Sequence, residues 1–181
     1  MDARDHYLNL ARNNAWSNHR IYKAVGEIGD AGLGLERPGF FKTLRFTLNH
    51  LLIVDWYYIS VLMGDTDALR RFDEDEPCFT YDELLHAQRA SDDRLLGFCQ
   101  TLEDRGLSKI ISLPRQYDKI YDETVKSVLD HLFTHQIHHR GQIHTMILDA
   151  GIAPPQLDDF FLTQDRAEDI TEIAALLMNY T

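Results

Sequence analysis

The stretch 124–150, TVKSVLDHLFTHQIHHRGQIHTMILDA, constrains this chain most. Val125, Val128, Leu132, His135, His139, Gln142 and Met146 recur at alternating spacings of three and four. That is the period of one helix face, and so regular a seam is the face that packs against partner helices in a bundle. Two of its innermost positions carry imidazoles. A helix turns about 100° per residue, so His135 and His139 stand one turn apart and roughly 40° around the axis. Such an i, i+4 pair can grip one metal ion from a single helix. Without an ion, each buried ring needs hydrogen-bond partners instead.

The other histidines sort by angle. His131 precedes His135 by one turn and lies about 40° to the other side, so this pair chelates equally well. His131 and His139 are roughly 12 Å apart along the axis, too far to share an ion. His138 and His144 point toward other faces. Helical geometry therefore leaves two pairs open, His131/His135 and His135/His139, and asks for a third ligand from elsewhere.

The periodicity predicts a first helix from Arg4 to Ile28, with Tyr7, Leu10, Asn14, Ile21 and Val25 inward. Gly29, Gly32, Gly34 and Pro38 then make a loop. A second helix runs from about Thr43 to Met63 on a stripe of Thr43, Phe46, His50, Val54, Tyr57 and Val61. His50 is a third inward imidazole, on a different helix. The long polar connection from Gly64 implies a crossover rather than a tight hairpin. Thr80 and Glu83 form a capping box for a third helix, which Arg105-Gly106 stops. The linker from Leu107 to Tyr121, with its β-branched patch, has room for a brief strand pair. Gly151 closes the central helix, and a fifth, shorter helix is expected from Asp165 to Met178.

These elements fit one domain over residues 1–181, with a core of about 4–161. Composition narrows the function classes. Eighteen Lys and Arg are outnumbered by 29 Asp and Glu, for a net charge of −11, which works against nucleic-acid binding. No apolar run reaches the length of a membrane span, and the N-terminal residues carry no secretory apolar core. Two cysteines, Cys78 and Cys99, are too few for a disulfide framework and fit a reducing cytoplasm. Phosphate loops and nucleophile elbows are absent, and the central helix has no glutamate after Glu123 for the Glu-x-x-His that di-iron bundles draw from each of two helices.

Three motifs carry a resemblance. The run His135-Gln136-Ile137-His138-His139-Arg140-Gly141-Gln142, behind Leu129-Asp130-His131-Leu132, resembles the signature of the DinB/YfiT-like family. Asn14-Ala15-Trp16-Ser17-Asn18 is similar to the family's N-terminal motif, and Leu48-Asn49-His50-Leu51 through Trp56 to its first ligand helix. The resemblance implies an all-α, up-down-down-up four-helix bundle, to which the helix after Asp165 is an addition. It assigns one divalent transition metal ion, zinc or nickel, to His50, His135 and His139, choosing between the pairs that geometry left open. It further implies a homodimer and, in some members, transfer chemistry with a low-molecular-weight thiol; others have no known activity.

Three neutral imidazoles leave at least one coordination position open, as in catalytic rather than structural zinc sites. With what the resemblance implies, this predicts a metal-dependent enzyme of thiol-transferase or hydrolase type acting on a small molecule. The alternative is a binding or sensing module without turnover. Gln142, Tyr57 and His131 are the candidates for orienting a ligand or touching substrate.

Overall fold

Four α-helices, two short 3-10 helices (Ala68–Phe72 and Asp104–Ser108) and one β-hairpin build the described part of the computed structural model, which covers residues 3–65, 67–116 and 119–162. The helices are α1 (Ala3–Leu33), α2 (Leu44–Leu62), α3 (Tyr81–Thr101) and α4 (Val125–Asp149), and the strands are β1 (Ile110–Arg115) and β2 (Lys119–Thr124). The helix expected at Asp165–Met178 lies outside the described residues. No helix among the described residues is long and apolar enough to cross a membrane.

Local chemistry sets the helix ends. Thr43, Thr80 and Thr124 each stand before a helix in extended conformation, and each side chain accepts from a backbone N–H three residues on. Thr80 and Glu83 complete the reciprocal capping box. At the end of α4, Gly151 adopts φ 81°, and Gly151 and Ile152 donate to the Leu148 and Ile147 carbonyls. That is a Schellman closure, which requires the left-handed residue glycine supplies.

Three boundaries differ from the sequence reading. The first helix does not stop at Ile28; it kinks at Gly29, where φ is 68°, and resumes to Leu33. The third ends at Thr101, before Arg105-Gly106, because Leu102 turns extended and buries its side chain. The strand pair runs on to Thr124, where the Thr cap hands the chain directly to α4.

Side-chain contacts fix the topology. Asn18 and Asn14 reach Asp92, while Arg4 reaches Gln100 and Asp104, so α3 runs antiparallel to α1. Tyr7 meets Asp130 and Asn14 meets Arg140, so α4 runs parallel to α1. Thr47 meets Met146 and His50 meets His135, so α2 opposes α4. The order is up-down-down-up, and the long connections before α3 and α4 make it possible.

The interior is layered. One apolar cluster, with Ala11, Leu95, Leu96, Leu129 and Leu132, lies toward the hairpin. A second, with Ile21, Val25, Leu48, Leu52 and Ile143, lies at the other end. A buried polar layer separates them: Asn14 and Asn18 of α1, Asp55 of α2, Gln88 and Asp92 of α3, and Gln136 and Arg140 of α4. Arg140 donates to the Asn14, Asn18 and Gln136 amide oxygens, and those asparagines donate to Asp92. Burial pushes Asp55 up to about 6 and Asp92 up to about 7, and lowers Arg140 to about 10.

Candidate metal centre

The α2–α4 seam brings the three inward imidazoles of the sequence together. One ring nitrogen from each of His50, His135 and His139 lies within 4.8 Å of the others. His50 Nε2 and His135 Nε2 are 3.1 Å apart. Bonds of about 2.0–2.1 Å to one ion place two imidazole nitrogens roughly 3 Å apart, so the donor set fits a divalent transition ion. The ring centroids of His135 and His139 are 4.4 Å apart, as expected for a chelating pair on one helix.

Electrostatics keep the rings neutral. Burial, then the neighbouring His139, pushes His50 down to about 4. Burial, then His139 and His50, pushes His135 down to about 3. His139 is lowered by burial too, against a hydrogen bond to Gln142 that raises it. Imidazoles must be neutral to ligate, so this environment removes proton competition near neutral pH.

Gln142 sets the tautomer. Its Oε1 lies 2.9 Å from His139 Nδ1, and its Nε2 lies 3.1 Å from His138 Nε2. An amide oxygen only accepts, so His139 Nδ1 carries the proton and Nε2 keeps its lone pair. His135 is different: its Nδ1 is buried and has no partner among the described residues. A buried ring nitrogen left without a partner costs about 1–3 kcal/mol.

The remaining candidates sit at different distances. His131 is exposed, with its ring centroid 6.2 Å from that of His135 and 5.1 Å from that of Tyr58. Tyr57 is fully buried, and its hydroxyl donates to the Pro114 carbonyl of the hairpin. His138 packs edge-on against His139, and His144 meets the Pro155 carbonyl. Phe41, from the loop between α1 and α2, was not among the candidates. Its ring lies 4.4 Å from His50 and 5.6 Å from His139, walling one side of the cluster. The adjacent Lys42 holds φ at 66°, a left-handed conformation unusual for lysine.

A cavity of about 430 Å³ lies elsewhere, on the α1-facing flank of α4 beside Arg140, Gly141 and His144. None of the three clustered histidines lines it. Gly141 borders this space, and a Cβ there would meet nothing within 4 Å among the described residues.

Known proteins bear on this arrangement. The family model described as "DinB family" matches residues 3–172. "Protein DinB" of Bacillus subtilis is 26% identical over 159 residues, which span 85% of this chain and 91% of that protein. The uncharacterized protein YizA of the same organism is 24% identical over 118 residues, spanning 65% and 71%. A crystal structure of a DinB-like protein from Bacillus cereus superposes with a TM-score of 0.59 at 20% identity, covering 78% of this chain and 90% of that one. The helical bundle, its three motifs in order and the match over nearly its whole length place this chain in the DinB family.

Proposed function

We propose that the chain is a metalloprotein that holds one divalent transition ion, of the zinc or nickel kind, through His50, His135 and His139. The observation that carries this reading is the convergence of three imidazoles, two of them 3.1 Å apart and held neutral by burial. Gln142 orients His139 by accepting its Nδ1 proton, the outer-sphere hydrogen bond that metal-bound histidines habitually make. Phe41 shields one side of the cluster from water. Three protein ligands leave a coordination position for a small molecule. When bound, an ion of this kind activates water or lowers the pKa of a thiol, which suits a thiol transferase or a hydrolase.

Protein purified without chelator is expected to hold close to one zinc or nickel per chain by elemental analysis. EDTA should lower its melting temperature, and the same metal should restore it, because a ligand of the native state stabilises it by mass action. A chain free of metal, whose melting responds to neither treatment, would overturn the reading. Turnover of thiol plus electrophile, or of simple esters and amides, then separates catalysis from ligand binding alone.

A further inference from the structure

Beyond the histidine cluster, α4 carries a further imidazole, His131, one turn closer to the hairpin. One turn toward the hairpin a second cavity of about 180 Å³ opens beside His131 and Tyr58. Buried Leu113 and Val128 form its apolar side. Two charged side chains line the same space, Arg115 of β1 and Glu123 of β2. The strand register explains their company: Ile111 pairs with Glu123, Leu113 with Tyr121 and Arg115 with Lys119. Alternate residues of a strand share a face, so Leu113, Arg115 and Glu123 leave the hairpin on one side.

The two charges are close enough to influence each other, yet no ion pair joins them among the described residues. Arg115 makes one side-chain hydrogen bond, from Nη2 to the Tyr58 hydroxyl at 2.9 Å. Its guanidinium also lies 5.4 and 5.6 Å from the Tyr57 and Tyr58 ring centroids, and its five donors in a fork match a carboxylate. Glu123 is exposed and acceptor-only, a partner for an ammonium. The cavity is smaller than the roughly 300 Å³ at which whole-ligand pockets begin, so it suits a head group rather than an entire ligand. His131 bridges the two regions, its ring 6.2 Å from His135.

We infer that this cavity is a subsite for the α-amino-acid head of a substrate whose other end reaches the metal centre. Arg115 takes the carboxylate, Glu123 takes the ammonium, and the substrate tail passes His131 toward His135. The inference rests on the proposed metal reading for the tail but not for the head.

The test is calorimetric titration of cobalt(II)-treated and metal-free protein with γ-L-glutamyl-L-cysteine and with cysteamine, a thiol lacking the carboxylate. The head-bearing thiol is expected to bind about tenfold tighter, the scale of one or two charge-assisted hydrogen bonds. Arg115→Gln and Glu123→Gln, both on the partly exposed hairpin, should each erase most of that margin. Cobalt content and cysteamine affinity should stay as in the wild type. Equal binding of the two thiols by a protein that takes up cobalt, or a margin that survives both substitutions, overturns the subsite and leaves the metal centre standing. A margin lost on Arg115→Gln in a protein that takes up no cobalt keeps the subsite and overturns the metal centre.

Discussion

Replacing Arg140 with Met removes the one cation of the buried polar layer while keeping most of its volume. Arg140 is 4% exposed and donates at 2.5, 3.1 and 3.2 Å to Asn14, Asn18 and Gln136. All three contacts come from Nη1, whose two hydrogens make at most two full bonds, and at about 1.5–3 kcal/mol each these set an upper bound near 6 kcal/mol. The true loss is smaller, because the guanidinium's own desolvation is recovered when it is removed. Asp55 and Asp92 lose the cation that lowers them and rise further. Breaking one side of a buried charged network costs about 3–5 kcal/mol, and that is the expected destabilisation in urea unfolding at pH 7.5. Adding Asp92→Asn should return part of it, since the carboxyl left without its cation is then neutral. A loss below about 1 kcal/mol, or a double variant that is simply additive, refutes the view that this layer couples the four helices.

Other outcomes follow from the histidine cluster. Gln142→Ala should weaken metal binding about 10–100-fold, and Gln142→Glu, which keeps an acceptor for His139 Nδ1, should spare it; equal losses in competition titrations would contradict the tautomer argument. Single alanine variants of His50, His135 and His139 should lose the ion, whereas His138→Ala and His144→Ala retain it; a site emptied by His131→Ala and left full by His139→Ala moves the ion one turn earlier. In metal-free protein, His50 near 4 and His135 near 3 are neutral when folded, while the unfolded chain protonates them below about 6.5. Their contribution is thus present above 6.5 and is lost as pH falls toward 4. Asp55 and Asp92, raised to about 6 and about 7, act oppositely, their contribution being lost as pH rises through those values. Asp92→Asn should therefore steepen the rise of stability between about pH 4 and 6.5, and an unchanged slope in pH-dependent melts sinks this assignment.

Much of the arrangement was legible because it obeys short-range rules. The three-and-four spacing placed Val128, Leu132, His139 and Met146 inward, and all four are buried. Thr80 with Glu83, and Gly151, announced their caps by residue type alone. Gly29 reads as a stop, yet tertiary packing carries the helix through it, with Leu33 buried beyond. Arg140 is buried and hydrogen-bonded to Asn14, a partner 126 residues away that its own helix spacing does not point to. Tyr57 occupies the seam position its spacing predicts, but its hydroxyl is claimed by Pro114, 57 residues away. Phe41 sits in a loop, where no periodicity points to the ring it packs against. Contacts between segments distant in the chain are what short-range patterns do not carry.

X-ray absorption of the zinc-loaded protein tests the central claim most directly. Three imidazole nitrogens at about 2.0–2.1 Å with one further light-atom ligand are predicted, dropping to two imidazoles or to no bound zinc in His139→Ala. Zinc bound through sulfur, or a three-imidazole signal that persists unchanged in His139→Ala, would contradict it.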